Sequence, residues 1–216
     1  FASLGALVPF WSLYLDSLQF TSLEIGQLIA TLAISKIVAP YIWGWIADQT
    51  GFHIRIVQIT SLLSILCFLP LLWFDSFWTM LSFMMLFSFF WNASLPQFEV
   101  VTLGHLGENL HRYSQIRLWG SLGFIATVIF LGAIFQSLSI SWLPFILLGI
   151  FLIIWFSSLQ VAEHRQIEAS SGHIWSVIKK PQVIALLLSC FFIQASHGPY
   201  YTFFSLHMES LQYTRF

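Results

Sequence analysis

Apolar residues run in long stretches down the whole chain, interrupted by short polar or turn-rich segments. A helix needs about 20 apolar residues to cross a bilayer's hydrocarbon core. Runs near that length occupy 1–16, shortened at its start, 26–47, 56–74, 77–98, 116–137, 142–160 and 183–206. Seven such runs make the expected fold class all-α. The longest break, "VAEHRQIEASSGHIWSVIKKPQ" at 161–182, mixes charge, Ser and Gly with a short amphipathic stretch at 173–180. It reads as a linker after six helices. The expected organisation is therefore a six-helix bundle over 1–160, a linker over 161–182, and the first helix of a second bundle over 183–216.

Charge assigns the two faces. Breaks at 17–25, 75–76 and 138–141 alternate with breaks at 48–55, 99–115 and 161–182. Six of the eight Lys and Arg (Arg55, Arg112, Arg117, Arg165, Lys179 and Lys180) fall in or beside the second set. The positive-inside rule places that set in the cytoplasm, with a cytoplasmic N-terminus and an external C-terminus. Composition agrees with membrane residence: 58% of residues are hydrophobic and 8% charged, against about a quarter charged in soluble domains. Net charge is −1, which leaves no basic surface for nucleic acid. Cys67 and Cys190 lie in apolar runs and form no disulfide framework or zinc site.

The end of the chain repeats its beginning. "ASLGALVPFWSLYLDSLQFT" (2–21) aligns without gaps on "ASHGPYYTFFSLHMESLQYT" (195–214), matching Gly5 with Gly198, Ser17 with Ser210, Gln19 with Gln212 and Thr21 with Thr214. Shared apolar composition explains paired leucines but not a shared polar run. Two copies at helix-to-exterior junctions have the same membrane orientation, and a parallel repeat after six helices is expected of a transporter with two six-helix halves. The chain then reads as one half plus the first helix of the next, a fragment of a 12-helix protein.

Three features carry candidate chemistry. The turn "WGWIADQTGFHIR" (43–55) sets Asp48 and Arg55 on one side of the membrane, with Gly44 allowing close helix approach and Gly51 a tight turn. "PQFE" ends at Glu99 and "IRLWG" opens at Ile116, so Glu99 and Arg117 stand 18 positions apart across one loop. Spacing alone leaves two readings open, an inward pair or an arginine snorkelling to the headgroups. Lys36 lies twelve residues before Asp48, about 18 Å of helix, near mid-membrane. A functional cation or a structural pair both fit it. His197 is open between a proton relay and an ordinary hydrogen-bonded histidine. No metal-ligand spacing, phosphate loop or nucleophile–base set appears. No cofactor and no enzymatic activity is expected.

The turn resembles the major facilitator superfamily, whose loop between helices 2 and 3 follows Gly-x-x-x-Asp-x-x-Gly; Gly44, Asp48 and Gly51 match. The resemblance implies a conformational latch made by Gly44, Asp48, Gly51 and Arg55. Gln49 and His53 depart from the usual basic residues, implying a weaker, pH-sensitive charge network. "PQFEVVTLGHLGENLHRYSQIRLWGSLGF" is similar to lactose permease-type proton symporters, where Glu and Arg at this separation bind substrate, which implies that role for Glu99 and Arg117. "KIVAPYIWGWIAD" with "IRLWGSLGF" resembles the 3-phenylpropionate permease branch. One surplus positive charge from Lys36 and Arg117 against Glu99 would suit a carboxylate in a cavity lined by Phe10, Trp11 and Trp119. The resemblance implies a proton symporter for a small organic solute in a bacterial inner membrane, monomeric when full length. A sugar or nucleoside symporter and a non-transporting membrane scaffold or sensor are the alternatives.

Overall fold

The computed structural model describes residues 1–163 and 179–211. Seven helices fall on the seven apolar runs: α1 (Ala2–Ser17), α2 (Ser22–Thr50), α3 (His53–Phe68), α4 (Phe77–Leu106), α5 (Tyr113–Ile134), α6 (Leu143–Ser158) and α7 (Pro181–Ser210). Lipid supplies no hydrogen-bond partners, so a spanning backbone must satisfy itself, and a helix does so within each segment. With their short 3-10 extensions, α2 to α7 are each long and apolar enough to cross a membrane. Apart from Lys179 and Lys180, the amphipathic stretch expected at 173–180 lies outside the described residues.

Local chemistry starts and stops these helices. Thr21 and Glu24 form a capping box at the start of α2: the Thr21 hydroxyl receives the Glu24 N–H, and the Glu24 carboxylate receives the Thr21 N–H at 2.8 Å. Gly51 ends α2 with φ of 70° and gives its N–H to the Ala47 carbonyl at 2.7 Å. A side chain resists that left-handed conformation, so α3 begins only two residues after α2 ends. Pro70 helps to end α3 in a 3-10 turn at Leu69–Leu72, because proline has no N–H to continue the helix.

Helix α4 packs between α2 and α3, and α1 packs against α5 and α6. Four rings join the bundle. Phe68 of α3 meets Trp11 of α1 at 5.8 Å, Phe87 of α4 at 5.0 Å and Phe151 of α6 at 5.2 Å between centroids. Edge-on and tilted aromatic packing of this kind supplies dispersion where no hydrophobic driving force separates helix from lipid. Phe10 and Trp11, expected to line a cavity, are buried here, Trp11 against Phe68 and Phe10 against Phe135.

Helix α7 lies against α1 and α2. A Cβ on Gly26, near the start of α2, would stand 3.5 Å from the Phe203 ring near the end of α7. Leu206 packs on the core cluster that contains Leu15. The ends of α1 and α7 and the start of α2 thus share one face, and α7 runs parallel to α1. The repeated sequences also end alike: Ser17 donates to the Tyr14 carbonyl at 2.6 Å and Ser210 to the His207 carbonyl at 2.7 Å.

Candidate functional site

The loop expected at 99–115 is mostly helix. Helix α4 continues to Leu106 and α5 begins at Tyr113, so only 107–112 joins them. Glu99 therefore lies seven residues inside α4 and Arg117 four residues inside α5, about 10 Å and 6 Å of helix from the joint. Those similar depths let an antiparallel hairpin bring the two side chains together. The Arg117 guanidinium donates to the Glu99 carboxylate and, at 2.7 Å, to the Tyr113 hydroxyl one turn earlier. Arginine carries donors in a fixed fork, so one side chain holds both oxygens in a defined direction.

Trp119 is not part of this group. Two residues past Arg117, it points about 200° around α5 at ~100° per residue, and it is 75% exposed. Gly120 instead accommodates the Phe1 ring, with which a side chain there would collide, and nothing comes within 4 Å of a Cβ on Gly123. At Gly5 the backbones of α1 and α5 approach closely: a Cβ there would stand 2.8 Å from the Phe124 carbonyl oxygen. Sequence reasoning passed over Gly5 and Tyr113. The i, i+4 spacing of Tyr113 and Arg117 was the signal for the second.

Lys36 stands apart from the pair, on the exposed side of α2. It borders a cavity of about 220 Å³ between α1, α2, α3, α4 and α6. Across it lies Asn92 of α4, whose amide donates to the Ser88 carbonyl at 2.9 Å and to the Ser88 hydroxyl at 3.0 Å. Lys36 and Asn92 each lie fourteen residues before the end of their helix, Thr50 and Leu106 respectively. Pro40 and Pro96, four residues on, have no N–H for the Lys36 and Asn92 carbonyls. Two backbone acceptors are thus relieved of their helical bonds beside the cavity. Among the described residues the Lys36 ammonium has no hydrogen bond or ion pair.

The α2–α3 turn is held differently from the sequence expectation. Asp48 is exposed and makes no ion pair with Arg55 among the described residues; the Arg55 guanidinium lies 4.5 Å over the Phe52 ring. Gly44 faces Gln97, whose amide nitrogen would be 4.0 Å from a Cβ there. His53 turns inward, buried, with Nδ1 2.7 Å from the Gln97 side-chain oxygen, rather than outward among charges. The start of α3 is capped by a carboxylate over a hundred residues away: Glu163 accepts the Ile54 N–H at 3.1 Å and the Arg55 N–H at 3.0 Å. Free N–H groups and the helix dipole favour an anion there. Nothing local in the sequence marks a partner so distant.

Glu163→Ala is expected to destabilise the protein by about 1 kcal/mol, the usual worth of a helix N-cap, and to speed amide exchange at Ile54 and Arg55. Hydrogen exchange resolved to those amides checks it; unchanged protection would mean that the cap is idle. For His197, the remaining candidate, the hydrogen bond and ring contact among the described residues lie in its own helix: Nδ1 is 2.6 Å from the Ile193 carbonyl and the ring lies against Tyr201.

The helix arrangement is similar to part of a solved structure. The fold superposes on crystal structures of the nucleoside transporter NupG with a TM-score of 0.74 and 19% identity, over 89% of this chain and 50% of that one. The maltose permease of Geobacillus stearothermophilus is 29% identical over 61% of this chain and 34% of its own length. The probable 3-phenylpropionic acid transporter of Escherichia coli (strain K12) is 24% identical over 99% of this chain and 58% of its own. The chain spans about half the length of such relatives. A model of the MFS_1 like family matches residues 1–216, and with its membrane-spanning helices the chain belongs to that family of the major facilitator superfamily, as an integral membrane protein.

Proposed function

We propose that this chain is the solute-holding N-terminal half, with the first helix of the second half, of a proton-coupled symporter for a small organic acid. The observation that carries the reading is the set of charges within the spanning helices: Glu99 paired with Arg117, and Lys36 without a partner among the described residues, beside a cavity lined by aromatic rings and serines. Charged groups within a membrane are costly and mark pathways for solutes and ions. In this reading Glu99 and Arg117 hold polar groups of the solute, Lys36 meets its carboxylate, and rocking of two halves alternates access. Gly44, Asp48, Gly51 and Arg55 form the turn that latches the cytoplasmic side. The N-terminus lies in the cytoplasm and the host bilayer is a bacterial inner membrane. The relative named for 3-phenylpropionic acid, which aligns along almost the whole chain, favours an aromatic carboxylate.

A sugar or nucleoside is the second reading, favoured by the likeness to a maltose permease and to NupG. Uptake of labelled 3-phenylpropionate, maltose and uridine by cells expressing the full-length protein separates the two. The expected result is accumulation of the acid alone, abolished by a protonophore. Accumulation of maltose or uridine alone would establish the second reading, and acid uptake equal to that of vector controls would overturn the first.

A further inference from the structure

We infer that the cavity beside Lys36 takes a single-ring aromatic acid that also carries a hydroxyl group. The carboxylate sits on the Lys36 ammonium and the hydroxyl among the buried serines. The inference rests on the reading of this chain as the solute-holding half of a transporter, and it names the class of solute and its orientation.

Three observations carry it. First, the two cations differ in what they already hold. Arg117 already has a counterion in Glu99, held with Tyr113 through one guanidinium nitrogen, whereas the Lys36 ammonium has no partner among the described residues. An ammonium fourteen residues inside a spanning helix needs an anion, and a solute carboxylate supplies one without breaking an existing pair. Second, size and lining suit one ring. About 220 Å³ falls below the roughly 300–1,000 Å³ of pockets for drug-sized ligands, and Trp91, Phe98 and Phe151 offer aromatic surface.

Third, the buried part of the lining is polar in a way that an unsubstituted ring cannot answer. Ser61 and Ser94, 4% and 8% exposed, have hydroxyl oxygens 3.2 Å apart. One hydrogen serves that contact, and the second hydroxyl keeps a hydrogen to donate. Ser3, 3% exposed, borders the same cavity with a hydroxyl that has no partner among the described residues. A bare phenyl ring would desolvate these groups without replacing their hydrogen bonds, which costs affinity. A ring hydroxyl can accept from one serine and donate to another. Lys36 lies on the exposed side and the serines are buried, so the acid group stays near the opening and the ring enters hydroxyl first.

Thermal stabilisation of the purified full-length protein, titrated with defined probes, tests this. The probes are 3-phenylpropionate, its 3-hydroxyphenyl and 4-hydroxyphenyl analogues, the amide of the better analogue, maltose and uridine. The better hydroxylated acid is expected to bind about tenfold more tightly than 3-phenylpropionate, and its amide at least tenfold more weakly, about one hydrogen bond in each case. Lys36→Gln should erase the preference for acid over amide and Lys36→Arg should keep it. Ser94→Ala should erase the hydroxyl preference alone. Acid binding without a hydroxyl preference overturns this inference and leaves the carboxylate reading standing. Equal binding of acid and amide, or stabilisation by maltose or uridine and by neither acid, overturns both. No stabilisation by any probe overturns the inference, and uptake then judges the transport reading. The comparison of probes in the unsubstituted protein needs no variant to fold.

Discussion

Arg117→Gln is expected to abolish solute uptake and to lower the thermal midpoint of the protein, whereas adding Glu99→Gln should restore the midpoint and leave uptake at background. Arg117 joins α5 to α4 through Glu99 and braces itself on Tyr113. Removing the cation alone leaves a carboxylate within the spanning part of α4. A lone charge costs about 2.5–3.5 kcal/mol at a helix centre on insertion scales, less here because Glu99 lies nearer the end of α4 than its centre. Neutralising both residues removes that penalty, and the double-mutant cycle reports their coupling. Solute recognition has no such compensation. Each lost hydrogen bond to a charged group is worth about 1.5–3 kcal/mol, or ten- to a hundredfold in uptake at low solute concentration. Midpoints in detergent and initial uptake rates in cells make the check. Recovery of uptake in the double variant would mean that the pair holds helices together and does not touch solute.

The second large effect is expected from a residue that meets no charge at all. Gly5→Val should reduce the folded population and depress uptake even at a permissive temperature. The Cβ of such a side chain would stand 2.8 Å from the Phe124 carbonyl oxygen and 3.2 Å from the Thr127 Cβ. The nearer atom is backbone and cannot rotate aside, so α5 itself must move. Overpacking of this kind costs about 1–3 kcal/mol, and small residues at helix crossings are what permit close approach in membranes. Arg117 lies seven residues before Phe124 on α5, so displacement of the helix carries the guanidinium away from Glu99. Gly149→Ala is the control, because nothing lies within 4 Å of a Cβ there; its midpoint should hold. A Gly5→Val protein with an unchanged midpoint would mean that α1 and α5 do not press together at this point.

Much of the architecture was legible as one-dimensional pattern. Seven apolar runs of near-spanning length became seven helices, and the Ser17 and Ser210 ends of the repeated segments close with the same hydroxyl-to-carbonyl bond. Gly51 read as a tight turn, and it adopts the positive φ that such a turn requires. The 18-residue interval from Glu99 to Arg117 proposed a pair, which the hairpin of α4 and α5 forms. The ends of α4 and α5 misled, because the polar residues at 99–115 read as loop although most of them continue helix.

What sequence alone determined was the number and order of the helices among the described residues. Length and apolarity decide whether a segment can cross lipid, and each is a sum along the chain. Which side chains meet was decided only by the tertiary structure, because contact depends on how each helix is rotated about its axis and where its neighbours cross. One residue of α5 separates Arg117 from Trp119, yet a rotation of about 200° sends one to Glu99 and the other away. Glu163, which follows α6 in the chain, reaches the start of α3, and Lys36 stands apart from the Glu99–Arg117 pair without a partner among the described residues.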